Sequence, residues 1–181
     1  MGRDKALIPV RGTPLAVRVA DAIAAAGATR VVAIGGDLAA LRASGLDAVP
    51  DADPGEGPLT GILTALGTLT DAADAPGVVF VASCDLLGPE PAAVRATIAA
   101  LAMADESVAV AVPVAGARRQ WLHAAWRTAA RVRLAAAFAA GERSVHGAVA
   151  AAELRLREFP LAPAVVADAD VPADLPTPGP E

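Results

Sequence analysis

Short, unbroken apolar runs alternate along the chain with longer segments whose apolar residues recur at helical spacing. The runs at 30–36 (Arg-Val-Val-Ala-Ile-Gly-Gly) and 77–83 (Gly-Val-Val-Phe-Val-Ala-Ser) read as buried strands. A third covers 107–114, and weaker strand patterns lie at 121–126 and 154–161. Helical spacing predicts helices over 14–26, 38–43, 59–70, 89–103, 129–140 and 144–151. Pro14, Pro58 and Pro89 stand at or just before three of these starts, where a missing N–H costs nothing, and Gly27 suits the end of the first helix. Strands alternating with helices imply βαβ crossovers. The expected fold is therefore α/β, a three-layer α/β/α arrangement around a mostly parallel Rossmann-like sheet. Ligands in such sheets bind at the carboxyl ends of strands, which directs attention to Gly35, Gly36, Asp51 and Asp85.

Length and composition narrow the picture. A chain of 181 residues fits one domain, expected over 1–175, with a disordered tail at 176–181. Hydrophobic residues make up 55%, but they are largely alanine, and no stretch approaches the roughly 18 consecutive apolar residues of a membrane span. No apolar h-region follows the charged start, so no secretory signal is expected and a cytoplasmic location is the default. The net charge of −5 argues against a partner bound by counterion release, so no nucleic acid is expected. A single cysteine, Cys84, excludes an internal disulfide and a multi-cysteine metal cage. Lys5 is the only lysine among 15 Lys and Arg residues, and a lysine that persists alone invites a reason.

Four segments could carry chemistry. Lys5 could neutralise phosphate oxygens as a compact charge, or simply be solvated. The stretch Asp51-Ala52-Asp53-Pro54-Gly55-Glu56-Gly57-Pro58-Leu59-Thr60-Gly61 could bring backbone N–H groups to a base edge or anion, or be a turn before a helix. Asp85, directly after an apolar run, could hold Mg²⁺ or cap the next helix. Asp168 and Asp170 could complete a metal site with Asp85 or start a final turn. His123 and His146 lack metal-ligand spacing, and Cys84 has no nearby histidine partner, so structural roles are expected for all three.

In their order along the chain these segments resemble the molybdenum cofactor guanylyltransferases, nucleotidyltransferases of the nucleotide-diphospho-sugar transferase type. Met1-Gly2-Arg3-Asp4-Lys5 matches the last five positions of a signature Leu-Ala-Gly-Gly-x-Ser-x-Arg-Met-Gly-x-Asp-Lys. Gly57-Pro58-Leu59-Thr60-Gly61-Ile62 is similar to Gly-Pro-Leu-x-Gly-Ile, Cys84-Asp85 to the start of Cys-Asp-Met-Pro, and Gln120-Trp121-Leu122-His123-Ala124 to Gln-Pro-Leu-His-Ala. The acidic run at 168–175 follows Asn-x-Asn-Thr-Pro-Glu-Asp-Leu. The resemblance implies transfer of GMP from GTP to the phosphate of molybdopterin, with pyrophosphate released. It implies Lys5 and Asp85 as catalytic residues, Lys5, Asp51, Gly57, Pro58, Leu59, Gly61 and Asp85 at GTP, and Asp85 with Asp170 or Asp168 on Mg²⁺. Molybdoenzymes or other cofactor-biosynthesis proteins would be partners. The chain departs from the signature in two ways. It begins at the internal Met, so about 10 to 20 residues of strand and glycine-rich loop are expected ahead of Met1. Leu86-Leu87-Gly88 and Trp121 replace family residues where the acceptor should lie. A cytidylyltransferase, a guanylyltransferase for another phosphorylated acceptor, and an inert homologue that binds cofactor or a partner are the alternatives.

Overall fold

The computed structural model describes residues 4–69 and 77–168. A 3-10 turn, Lys5–Leu7, leads into a hairpin of β1 (Pro9–Val10) and β2 (Thr13–Pro14). Its turn residues Arg11 and Gly12 have φ of 52° and 81°, the positive values a two-residue hairpin requires. There follow α1 (Leu15–Ala25), β3 (Ala33–Ile34), α2 (Leu38–Ala43), β4 (Ala48–Val49), α3 (Pro58–Thr68), β5 (Val78–Ala82) and α4 (Pro91–Ala102). The second half comprises β6 (Val108–Ala115), β7 (Arg118–Arg119), β8 (His123–Arg127), α5 (Ala130–Ala139), α6 (Val145–Ala151), β9 (Arg155–Pro160) and a closing 3-10 turn, Pro163–Val166. Pro58 and Pro91 occupy first turns of their helices, so α4 starts later than the expected Pro89. Among the described residues no helix is long and apolar enough to cross a membrane. The tail at 176–181 lies outside the described residues.

The α/β class matches expectation, but the sheet is not mostly parallel. β3 pairs with β4, and β6 with β9, in parallel. β8 lies between β5 and β6 and runs antiparallel to both. The reason is the connection. Between β5 and β6 the chain crosses over through α4 and resumes the same direction, whereas from β6 to β8 it turns back at Gly116 (φ 61°) and passes through β7 with no helix between. So short a link can only return the chain antiparallel. The apolar run at 30–36 yields only two strand residues, because among the described residues β3 pairs only with the equally short β4.

Alternation along β5 and β8 sorts side chains to two faces. Val79, Ala124 and Trp126 face a cluster with Leu59, Ile62 and Leu66 of α3, closed by residues of α5 and α6. Ala125 and Ala111 face the other way, onto Leu101 of α4. Helices thus cover both faces, as a three-layer fold requires. Leu66 is fully buried, and truncating such a leucine to alanine costs about 2–5 kcal/mol.

His123 belongs to this packing. It is 1% exposed, its ring meets Phe80 edge-on at 4.9 Å, and neither ring nitrogen has a hydrogen-bond partner among the described residues. Burial pushes its pKa from 6.5 down to about 4. The folded protein therefore keeps the imidazole neutral over a range in which the unfolded chain takes up a proton. This contribution is complete above pH 6.5 and is lost as the pH falls toward 4, to a total of about 3 kcal/mol. Urea unfolding at several pH values should show that His123→Phe loses less stability than the parent protein across that interval. Identical pH slopes would mean the ring is protonated without cost.

Candidate functional site

Residues far apart in sequence meet where β3, β4 and β5 end. Asp4 caps the first 3-10 turn, its Oδ1 accepting from the Ala6 N–H at 3.1 Å. Its Oδ2 accepts from the Asp37 N–H at 3.0 Å, tying the turn to the loop after β3. Gly36 makes this approach possible: its φ is +71°, and a Cβ there would lie 2.6 Å from Asp4 Oδ2. Lys5 Nζ then lies 3.9 Å from Asp85 Oδ2, just beyond β5, with side chains 34% and 18% exposed. Asp85 Oδ1 accepts from the Ser83 hydroxyl. Cys84, between them, is held neutral, its pKa pushed up to about 11 by burial first and then by the charges of Asp85 and Asp4.

The glycine loop is fastened from β4. Asp51 accepts from the Thr60 hydroxyl at 2.9 Å on one oxygen and from the Thr64 hydroxyl at 3.1 Å on the other. Thr60 and Thr64 are one turn apart on α3, so one carboxylate grips one face of the helix. Gly57 precedes the helix with φ 96°, a conformation that favours glycine. Glu56 pairs with Arg143, whose guanidinium also lies over the Phe138 ring at 4.2 Å. Pro58 and Gly61 line a cavity, whereas the Leu59 side chain is fully buried in the core and has only its backbone to offer a ligand. The hydroxyls of Thr60 and Thr64 were legible only as an i, i+4 pair. The Glu56–Arg143 brace, across 87 positions, had no sequence signal.

Two cavities flank this region. One, of about 280 Å³, lies between the edges of β3 and β5. The other, of about 430 Å³, is lined by Gln120, Trp121, Ser144, His146 and Asp168 among others, and shares Pro58, Ser83 and Leu122 with the first. Asp168 forms an isolated antiparallel bridge with Leu86, the residue after Asp85, while Asp170 lies outside the described residues. No group of three or more potential metal ligands occurs among the described residues. Mg²⁺ needs only one or two carboxylates when phosphates and water complete its shell, and Asp85, at the mouth beside Lys5, is one carboxylate that could supply such a bond.

The chain matches the MobA-like NTP transferase domain over residues 1–156. It belongs to that family. The fold agrees: the molybdopterin-guanine dinucleotide biosynthesis protein A of Archaeoglobus fulgidus superposes with a TM-score of 0.65 at 19% identity, over 88% of this chain and 76% of that one. A Methanothermobacter thermautotroptrophicus nucleotidyl transferase gives 0.68 at 19%, over 94% and 81%. A Mycobacterium tuberculosis protein gives 0.69 at 20%, over 96% and 87%, and has also been solved in complex with manganese. No curated protein matches the chain significantly. In this MobA-like domain, Gly36→Ala should expel the Asp4 carboxylate from its seat. A loss of about 1–3 kcal/mol in chemical denaturation is expected from the strained φ and the clash. A stability equal to that of the parent would show that Asp4 can move aside freely.

Proposed function

We propose that the protein transfers GMP from GTP to the phosphate of molybdopterin, releasing pyrophosphate and forming the guanine dinucleotide form of the molybdenum cofactor. The observation that carries this reading is the meeting of Lys5 with Asp85 at the strand ends, within reach of the loop that Asp51 fastens to α3. Lys5 neutralises phosphate oxygens, and its link through Asp4 to the β3 loop restricts where its charge can go. Asp85, with Asp168 or Asp170, holds Mg²⁺, whose chemistry there is charge neutralisation on the triphosphate. Pro58 and Gly61, with the Gly57 backbone, receive the guanine nucleotide, and Asp51 keeps that loop in place through Thr60 and Thr64. Molybdopterin occupies the larger cavity, where Trp121 offers an apolar plane and Gln120, Ser144 and His146 offer hydrogen bonds.

An oxygen of the acceptor phosphate attacks the α-phosphorus of GTP, and the bond from that phosphorus to the β-phosphate oxygen breaks. The protein's part is orientation and charge stabilisation. A phosphate monoester loses its second proton near pH 6, so the attacking oxygen needs no base at neutral pH. Cys84, held neutral, and His123, sealed in the core, are accordingly not required to move protons.

Pyrophosphate release should require GTP, molybdopterin and Mg²⁺ together. Asp85→Asn is expected to lower kcat by about 10²–10³-fold, and Trp121→Ala to raise KM for molybdopterin while leaving KM for GTP unchanged. Faster release from CTP would move the assignment to cytidylyl transfer, and release indifferent to molybdopterin would exclude it as the acceptor.

A further inference from the structure

We infer that Arg143 is a positioning residue: through Glu56 it holds the glycine loop at one distance from the turn between α5 and α6, and so fixes the wall that the two cavities share. The inference rests on the proposed function, which places the nucleotide along Pro58 and Gly61 and the acceptor in the larger cavity. The loop needs an outside hold. Glu56 stands between Gly55 and Gly57, whose φ values of 86° and 96° mark two residues with wide backbone freedom. The Ala52 N–H donates to the Thr64 hydroxyl at 3.1 Å, and Asp51 grips Thr60 and Thr64, but neither tie reaches residues 54–56. Among the described residues, their one polar tie to a segment outside the loop is the Glu56 carboxylate, which accepts from Arg143 Nε at 2.5 Å.

Arg143 is fixed before it meets Glu56. Its Nη1 donates to the carbonyl oxygens of Phe138 and Glu142 at 2.9 and 3.1 Å, and the guanidinium covers the Phe138 ring. Glu142 stiffens the turn that carries it. The Glu142 carboxylate accepts from the N–H groups of Arg143 and Ser144, each at 2.8 Å, and from the Ser144 hydroxyl at 3.0 Å. Gly147 makes room for that carboxylate, since a Cβ there would overlap Glu142 Oε2. An exposed ion pair contributes little where two long side chains must both be immobilised. Here one of them is immobilised already, so the attraction acts on the loop.

The seam between loop and turn is also where the cavities adjoin. Pro58 borders both, and Ser144, Val145 and His146 border the larger one, whereas Glu56 and Arg143 border neither. A ligand in either cavity therefore meets the pair only through the position of Pro58 and its neighbours. With the pair broken, the loop swings about Gly55 and Gly57, the shared wall moves, and each ligand has to restore it on binding. That cost falls on the affinity for both substrates. Lys5 and Asp85 meet at the strand ends on other segments, so the complex, once formed, reacts at nearly the parent rate.

The test compares Glu56→Gln, Arg143→Gln and the double variant with the parent protein. Each single change should raise KM for Mg²⁺-GTP and KM for molybdopterin about three- to fivefold and leave kcat within about twofold, and the double variant should be no worse than either single one. Unchanged KM values, a loss confined to kcat, or additive effects in the double variant would overturn the inference. A second readout needs no turnover. Hydrogen exchange at the Glu56 and Thr60 amides of the ligand-free protein should be about threefold faster in all three variants, while the Asp37 amide, held by Asp4, keeps its parent rate. If the parent turns over no GTP, the proposed reaction falls and exchange alone decides. Faster exchange in both single variants with no further gain in the double supports the positioning role, and unchanged or additive rates overturn it.

Discussion

The antiparallel register of β5 on β8 determines where almost everything else lies. With Val79 opposite Trp126 and Ala82 opposite His123, one face of the pair presents Val79, Ala124 and Trp126 to α3, and the other presents Phe80 and His123 to each other. A slip by one residue would exchange the two faces, placing the imidazole in the main cluster and Trp126 against α4. The same register sets where β5 ends. The last ladder bond, from the Ser83 N–H to Leu122 O, releases the chain at Cys84, so that Asp85 emerges at the mouth where Lys5 meets it. Core and site are thus two ends of one ladder.

At that mouth the acidic side chains have structural tasks that come before any chemistry. Asp4 joins the first turn to the loop after β3, and Asp51 joins the end of β4 to α3. Both carboxylates are occupied on both oxygens by donors from the protein, which restrains the loops they join. Asp85 differs, because it accepts from Ser83 on one oxygen while the other faces Lys5 across 3.9 Å, longer than a hydrogen bond. Its position suits a ligand more than a strut.

Much of this was legible in the sequence, and the failures have physical causes. The run at 77–83 is a strand because its unbroken apolar core, Val78 to Ala82 with three valines, suits a sheet position, and Asp85 follows it as the pattern implied. The helices over 38–43 and 144–151 fall almost where spacing placed them, with Asp37 and Ser44 or Ser144 at their ends. Strand direction was not legible, since apolar periodicity is the same for parallel and antiparallel neighbours and only the missing helix between β6 and β8 could have revealed it. Asp51 was found as a site residue, but its partners Thr60 and Thr64 were hidden in a helical stretch that read as apolar and glycine-rich. β4 escaped because two residues leave no period to detect.

The charge around the mouth explains why a divalent cation belongs with the proposed reaction. Asp51, Asp53, Glu56, Asp85 and Asp168 all lie on the loops that frame it, against Lys5 and an Arg143 that already pairs with Glu56. A nucleoside triphosphate alone, strongly anionic, would be repelled by such a rim, and one lysine could not offset that repulsion at short range. In the proposed reaction the nucleotide would arrive with a divalent cation, and a carboxylate that reaches that cation is attracted to it even though the complex as a whole stays anionic. An acidic mouth would thus favour the metal complex over the free nucleotide in the proposed reaction. A rim of arginines would hold the triphosphate in any form and leave Asp85 no cation to bind.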